Sequence, residues 1–72
     1  MQVYKIEPTT AYTYGCALIA AKTEDEAIDL FRTSNEYRDF EYDEYNCSCE
    51  FIEGLDFKTD IATIILDKIG YE

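Results

Sequence analysis

Any chemistry in this sequence would come mainly from cysteines and carboxylates, because the chain contains no histidine. Its 72 residues include 3 Cys and 16 Asp or Glu. The lack of histidine removes the commonest general base and the commonest metal ligand, and it makes a Ser–His or Cys–His pair impossible. Close carboxylate pairs arise by chance in so acidic a chain, and so short a chain leaves little room for a substrate-sized pocket. We therefore predict that the protein is not an enzyme.

The three cysteines are predicted to be reduced residues that act as small core hydrophobes. Cys16, Cys47 and Cys49 are odd in number, so they cannot all pair within one chain. Cys47 and Cys49 would lie two residues apart on one face of a strand, where a disulfide would close a very tight ring. Their acidic neighbourhood, which includes Glu50, predicts a raised thiol pKa and low reactivity.

No metal or nucleotide motif is complete. Counted from Asp39, acids occupy positions 1, 3, 5 and 12 of a calcium-binding loop, but the sixth position, which requires glycine, is Glu44. A tetrahedral zinc site needs four ligands, usually Cys or His, and the chain offers three such residues. The glycines form no phosphate-binding loop. We expect no metal and no cofactor.

Composition and charge bound the class of protein. A net charge of −10 works against binding a phosphate backbone, so we expect no direct contact with nucleic acid. The content of 47% hydrophobic and 15% aromatic residues is typical of a folded chain, here a single domain over residues 1–72. No secretory signal is visible, and the longest weakly polar run, 16–21, is far below the ~20 residues that span a bilayer. We expect a cytoplasmic protein that contacts no membrane.

Two strands are predicted before the first helix. Residues 2–7 alternate weakly between apolar and polar side chains, which indicates a strand. Residues 12–21 are apolar or small on both faces, which is typical of a strand inside a sheet. Gly15, within this second strand, is interpreted as a bulge or a close contact with a helix.

A helix is predicted over residues 24–34. Thr23 and Glu26 fit a capping box, in which the Thr23 hydroxyl accepts from the Glu26 N–H and the Glu26 carboxylate accepts from the Thr23 N–H. The segment Ala20–Ala27, which contains this box, resembles the strand-to-helix junction of many small bacterial and phage proteins; the resemblance implies such an origin and no function. Three apolar side chains are expected to pack on the sheet: Ala27, Leu30 and Phe31.

The C-terminal third predicts two more strands. Residues 47–52 alternate and indicate a strand, and residues 53–56 are predicted to turn the chain. The β-branched run within 62–69 favours a strand, with a helix as the alternative. The predicted class is α+β: strand, strand, helix, strand, strand, forming an antiparallel sheet with one helix on one face.

Acids and aromatic residues alternate in the segment 36–45, which has no structural role that the sequence explains. A solvated face with rings packed back on the core would account for it. A binding surface would account for it too, because tyrosine offers contact area at low entropic cost and acids steer basic partners. We predict that this segment binds a protein with a basic or mixed surface. The predicted contact residues are Glu36, Tyr37, Asp39, Phe40, Glu41, Tyr42, Asp43, Glu44 and Tyr45.

Two other roles remain open. The carboxylates could mimic phosphates and occupy the groove of a DNA- or RNA-binding protein. A mimic should space its charges regularly over one face, whereas the acids here group in the first turn of the helix and in one loop. An exposed edge strand would also allow the sheet to pair with a second copy of the chain.

Overall fold

The computed structural model describes residues 1–9, 13–33 and 47–71 and confirms the predicted α+β class. These residues form a four-stranded antiparallel sheet with a helix on one face, and a separate pair of two-residue strands that the sequence patterns do not predict. The elements in chain order are β1 (Gln2–Pro8), β2 (Thr13–Tyr14), β3 (Ala17–Ala21), α1 (Glu24–Thr33), β4 (Cys47–Asp56), β5 (Thr63–Asp67) and β6 (Gly70–Tyr71).

The main sheet has the order β4-β1-β3-β5, and each neighbouring pair is antiparallel. Strands β2 and β6 pair with each other in the second, smaller sheet. Residues 57–62 carry the chain from β4 at one edge of the main sheet to β5 at the opposite edge. The main sheet therefore has two edges, and each belongs to a strand from the C-terminal third.

Strand β5 confirms that the segment predicted as a strand over residues 62–69 is a strand, although it is shorter, Thr63–Asp67, and the helical alternative is wrong. Ile64 lies opposite Ile19, and Leu66 lies opposite Leu18, so Ile65 is an extra residue that forms a bulge. The ladder with β3 satisfies the backbone of β5, and β-branched side chains pack well on such a pleated surface.

The single strand predicted over residues 12–21 is wrong, because Gly15 and Cys16 divide it into β2 and β3. Gly15 has a φ of 87°, in the left-handed region that favours glycine. A Cβ on Gly15 would overlap the carbonyl oxygen of Lys68. Gly15 is thus a close contact, as expected, but with the backbone between β5 and β6 and not with the helix. The Lys68 amide also donates to the Cys16 carbonyl at 3.0 Å.

The turn predicted at residues 53–56 is also wrong, because the chain bulges there and β4 continues to Asp56. Ile52 and Asp56 face consecutive residues of β1, so the three residues between them are extra in the ladder. Gly54, with a φ of 81°, supplies the left-handed conformation that this bulge contains. Gly54, which favours a turn in the sequence, is therefore part of a bulge in an edge strand.

Helix α1 begins as the capping box predicts. The Glu26 amide donates to the Thr23 hydroxyl at 3.1 Å. The Glu26 carboxylate, however, accepts from the Lys22 amide at 3.0 Å and not from that of Thr23. Strand β3 ends at Ala21, so the Lys22 amide lies just beyond the ladder, where it needs another acceptor.

The helix covers one face of the sheet, and the predicted packing is confirmed. Ala27 and Phe31 are fully buried, and Leu30 packs against the same cluster. The buried core on this face consists of Tyr4, Ile6, Ala17, Ile19, Ala21, Ala27, Phe31 and Cys47. On the opposite face, Val3 lies between Ala20 and Ile52 and is fully buried without the helix.

Candidate protein-interaction surface

The predicted binding segment, residues 36–45, lies outside the residues that the structure describes, so its role stays a prediction. Within the described residues, exposed large apolar side chains concentrate in residues 50–61, which we call the 50–61 surface. Phe51, Leu55, Phe57 and Ile61 expose 46%, 48%, 37% and 72% of their surface. The surface follows β4 along one edge of the sheet and continues across the end of the sheet toward β5.

Carboxylates alternate with these apolar side chains. The four acids are Glu50, Glu53, Asp56 and Asp60, all exposed, and the single cation in the segment is Lys58. Asp56 forms an ion pair with the Met1 ammonium at 2.7 Å. Lys5, which lies opposite Glu50 in the ladder, pairs instead with Glu7 at 2.9 Å. Within the described part of the chain, three of the four acids therefore form no ion pair.

The start of the chain anchors the middle of the 50–61 surface. The Phe57 amide donates to the Met1 carbonyl at 2.9 Å, and the Met1 ammonium donates to the Phe57 carbonyl at 2.7 Å. The Phe51 ring packs against Tyr4, with 5.7 Å between ring centroids. The backbone of the surface is thus fixed to β1 while its apolar side chains stay exposed.

A hydrogen-bonded turn presents Ile61, the most exposed apolar side chain. The Thr59 hydroxyl donates to the Ile61 carbonyl at 2.9 Å and accepts from the Ile61 amide at 3.3 Å. The Thr63 hydroxyl donates to the same carbonyl at 2.9 Å. Because both backbone groups of Ile61 are satisfied within the chain, its side chain is left as the group that a partner could bury.

This arrangement suits recognition of another protein. Large apolar side chains are the groups that partners bury at the centre of an interface, and charged groups around them give orientation and steering. The sequence interpretation missed Phe51, Leu55, Phe57 and Ile61 because it predicted a binding surface only at 36–45 and assigned residues 53–56, which contain Leu55, to a turn. The signal was present, since acids and apolar residues alternate through 50–61 much as they do through 36–45.

Burial limits the reactivity of two of the three thiols, Cys47 and Cys49. None of the three cysteines, all within the described residues, forms a disulfide, and Cys47 is buried. Burial, and to a smaller extent the nearby carboxylate of Glu24, raise the pKa of Cys49 to about 11. The predicted direction is confirmed, but the predicted cause is wrong: Glu50 follows Cys49 in the strand and so points to the other face.

The described residues contain neither a cluster of metal ligands nor a membrane-spanning helix. Across 1–9, 13–33 and 47–71, no three His, Cys, Asp or Glu side chains approach closely enough to hold a metal ion. The same residues contain no helix that is both long and apolar enough to cross a membrane.

Comparison with known proteins assigns no family to this chain, so the candidate site rests on the structure alone. No family model matches the chain, and no curated protein and no solved structure matches it significantly. The fold and the 50–61 surface define a small acidic α+β protein that exposes apolar side chains along one edge and one end of its sheet.

Proposed function

We propose that this protein is a non-enzymatic protein-interaction module of the cytoplasm, which binds a partner with a basic or mixed surface through the 50–61 surface. The observation that carries the proposal is the exposure of four large apolar side chains within the 12 residues 50–61, interleaved with four carboxylates. Single exposed apolar side chains are ordinary on proteins, whereas a group of them rimmed by polar residues marks an interaction site.

Leu55 and Ile61 should contribute most to binding, because they are the most exposed members of the group at 48% and 72%. Fully burying such a side chain is worth about 1.5–3 kcal/mol, of which on the order of 1–2 kcal/mol is still available at each position. A difference of about 1.4 kcal/mol changes affinity tenfold. Replacing both residues with serine should therefore weaken binding on the order of 100-fold.

The carboxylates should act mainly on the rate of association. Glu50, Glu53 and Asp60 are exposed and form no ion pair within the described residues, so their field extends into solvent. Charges at the rim of an interface accelerate encounters with an oppositely charged partner, and salt screens this effect. Neutralising these three acids should slow association more than it speeds dissociation.

Capture of a partner from a lysate of the source cells, followed by mass spectrometry, tests the proposal when matched variants are compared. The test variant is Leu55→Ser with Ile61→Ser. The control is Tyr14→Ser, which removes a side chain of similar exposure, 53%, from β2. We expect the wild type and the control to capture the same protein and the double variant to lose it. Equal capture by all three would refute the role of the 50–61 surface.

A further variant separates the 50–61 surface from the segment predicted by sequence. It neutralises five acids together: Glu36, Asp39, Glu41, Asp43 and Glu44. Loss of capture in this variant, with capture retained by Leu55→Ser/Ile61→Ser, would assign binding to residues 36–45. Exposed apolar side chains between carboxylates are not what a phosphate backbone displays, which favours an interaction module over a nucleic-acid mimic. Capture of a protein whose nucleic-acid groove is blocked by this chain would favour the mimic instead.

A further inference from the structure

We propose that two copies of this chain associate through β5, by antiparallel pairing of this edge strand with its counterpart about Ile65. An edge strand presents backbone N–H and C=O groups that can pair with another chain. Among the described residues, β4 and β5 are the two edges of the main sheet. Strand β4 carries more exposed acids than β5, so β5 is the edge at which two acidic copies can pair.

Strand β4 carries the features with which proteins protect an edge from pairing. It contains three exposed acids, Glu50, Glu53 and Asp56, and the bulge at Gly54. Strand β5 has no charged residue from Thr63 to Leu66, and the uncharged run begins at Ile61. Its single acid, Asp67, is the last residue of the strand, so the rest of its edge lacks the charges that would repel a second copy, although it shares the protection of a bulge, at Ile65.

Two exposed apolar side chains lie on this uncharged edge. Ile65 and Leu66 expose 36% and 37% of their surface in the single chain. Pairing of β5 with itself about Ile65 would place the two Ile65 side chains opposite each other and each Leu66 opposite Ile64 of the other copy, so apolar burial would add to the backbone hydrogen bonds.

The positions of the acids along the two edge strands favour a second copy of the chain as the partner of β5. Antiparallel pairing centred on Ile65 places Asp67 opposite Thr63, so no carboxylate faces a carboxylate along the seam. Pairing of β4 about its own centre would place Glu50 opposite Glu53. In a chain with a net charge of −10, β5 is the edge at which two copies can approach without opposing acids. The same strand on both copies gives the closed two-fold symmetry that is commonest among dimers.

The dimer should be reversible and promoted by salt. The bulge at Ile65 bends β5 and limits the length of the seam. Each copy carries a charge of −10, so the two repel each other over about 30 Å at 0.01 M salt but only about 8 Å at 0.15 M. The β4 edge of each copy would stay open at the two ends of the joined sheet, and the proposed partner would then meet two sites on one assembly.

Sedimentation equilibrium over a range of concentration and NaCl tests the proposal with two matched lysine variants. We expect the wild-type mass to rise from 8.4 kDa toward twice that value with concentration, and to rise at lower concentration in higher salt. Ile65→Lys places a charge on the seam and should remain monomeric. Leu55→Lys places the same charge on an exposed side chain of β4 and should dimerise as the wild type does. If Ile65→Lys fails to fold by circular dichroism, Ile65→Thr replaces it and should weaken the dimer at least tenfold.

Amide hydrogen exchange locates the seam. The amides of Thr63–Leu66 should gain protection as the wild type is concentrated, while those of β4 should not. A monomer at every concentration up to about 1 mM would overturn the proposal, because specific association is stronger than that. Dimerisation of Ile65→Lys equal to the wild type, or protection that appears on β4, would overturn it as well. Ile65→Lys should still capture the partner of the 50–61 surface, so the two proposals fail independently.

Discussion

Gly15→Ala should destabilise the protein severely, whereas Gly54→Ala should be mild, although both glycines have positive φ angles of 87° and 81°. A side chain in this conformation costs about 1–2 kcal/mol. Loss of the extra freedom that glycine gives the unfolded chain returns about 0.4–1 kcal/mol. A Cβ on Gly54 meets no atom within 4 Å, so Gly54→Ala should cost only about 1 kcal/mol. It measures the backbone term alone.

Gly15→Ala adds a steric conflict to that backbone term. Its Cβ would overlap the Lys68 carbonyl oxygen and lie 2.8 Å from the carbonyl carbon, and both are backbone atoms. To relieve this overlap, the link between β2 and β3 must move away from the chain after β5. Overpacking of this kind typically destabilises a protein by about 1–3 kcal/mol. Loss of the hydrogen bond from Lys68 to Cys16 adds about 0.5–1.5 kcal/mol. The total is about 3–5 kcal/mol, against roughly 4–11 kcal/mol of stability for a chain of this length.

Urea denaturation of the two variants and the wild type, followed by far-UV circular dichroism and tyrosine fluorescence, measures both costs. The chain has seven tyrosines and no tryptophan, so tyrosine emission is not masked. We expect Gly15→Ala to lose at least 2 kcal/mol more than Gly54→Ala, a margin of about the steric term. Equal losses would refute the close contact with Lys68, and a larger loss at Gly54 would refute the open space around the bulge.

Two further predictions concern Cys49 and the cap of α1. Alkylation of Cys49 should be slow at pH 8 and approach its full rate only above the pKa of about 11, since burial holds the thiol protonated; a rate profile centred near pH 9 would contradict this. Because that raised pKa lets the folded state keep its proton, the contribution of Cys49 to stability should fall between pH 9 and 11. Thr23→Ala should cost about 1 kcal/mol because the Glu26 amide loses its acceptor, while Thr33→Ala, which removes a hydroxyl at the other end of α1, should be nearly neutral. Equal melting temperatures for the two threonine variants would show that the cap contributes nothing.

The sequence predicts those elements whose determinants lie close together in the chain. Helix α1 follows from the capping box and from apolar residues three and four positions apart, so its start is correct, and it extends to Thr33, where the described residues break off. The strands at 2–7 and within 62–69 follow from alternation and β-branching. Even in this helix, the acceptor role of Glu26 depends on the preceding strand. The Glu26 carboxylate accepts from the Lys22 amide, which lies beyond the end of β3 and so has no partner in the ladder.

The features that the sequence does not predict depend on distant partners. Gly15 divides the strand 12–21 because the backbone of Lys68, more than 50 residues away, comes to within contact of it. Gly54 reads as a turn, but pairing with β1 on both sides turns it into a bulge and extends β4 to Asp56. The same error hid part of the 50–61 surface, because a turn gave no reason to expect Leu55 on an extended edge.

Hydrogen exchange of this chain with and without its captured partner shows whether the 50–61 surface is the binding site. We expect the partner to slow exchange of amides within residues 50–61, with the largest change around Leu55 and Ile61, and to leave α1 unchanged. The Leu55→Ser/Ile61→Ser variant should bind the partner more weakly, and its amides in residues 50–61 should not be protected when the partner is added. A footprint confined to residues 36–45, or to the helix, with exchange of 50–61 unaltered, would contradict this expectation.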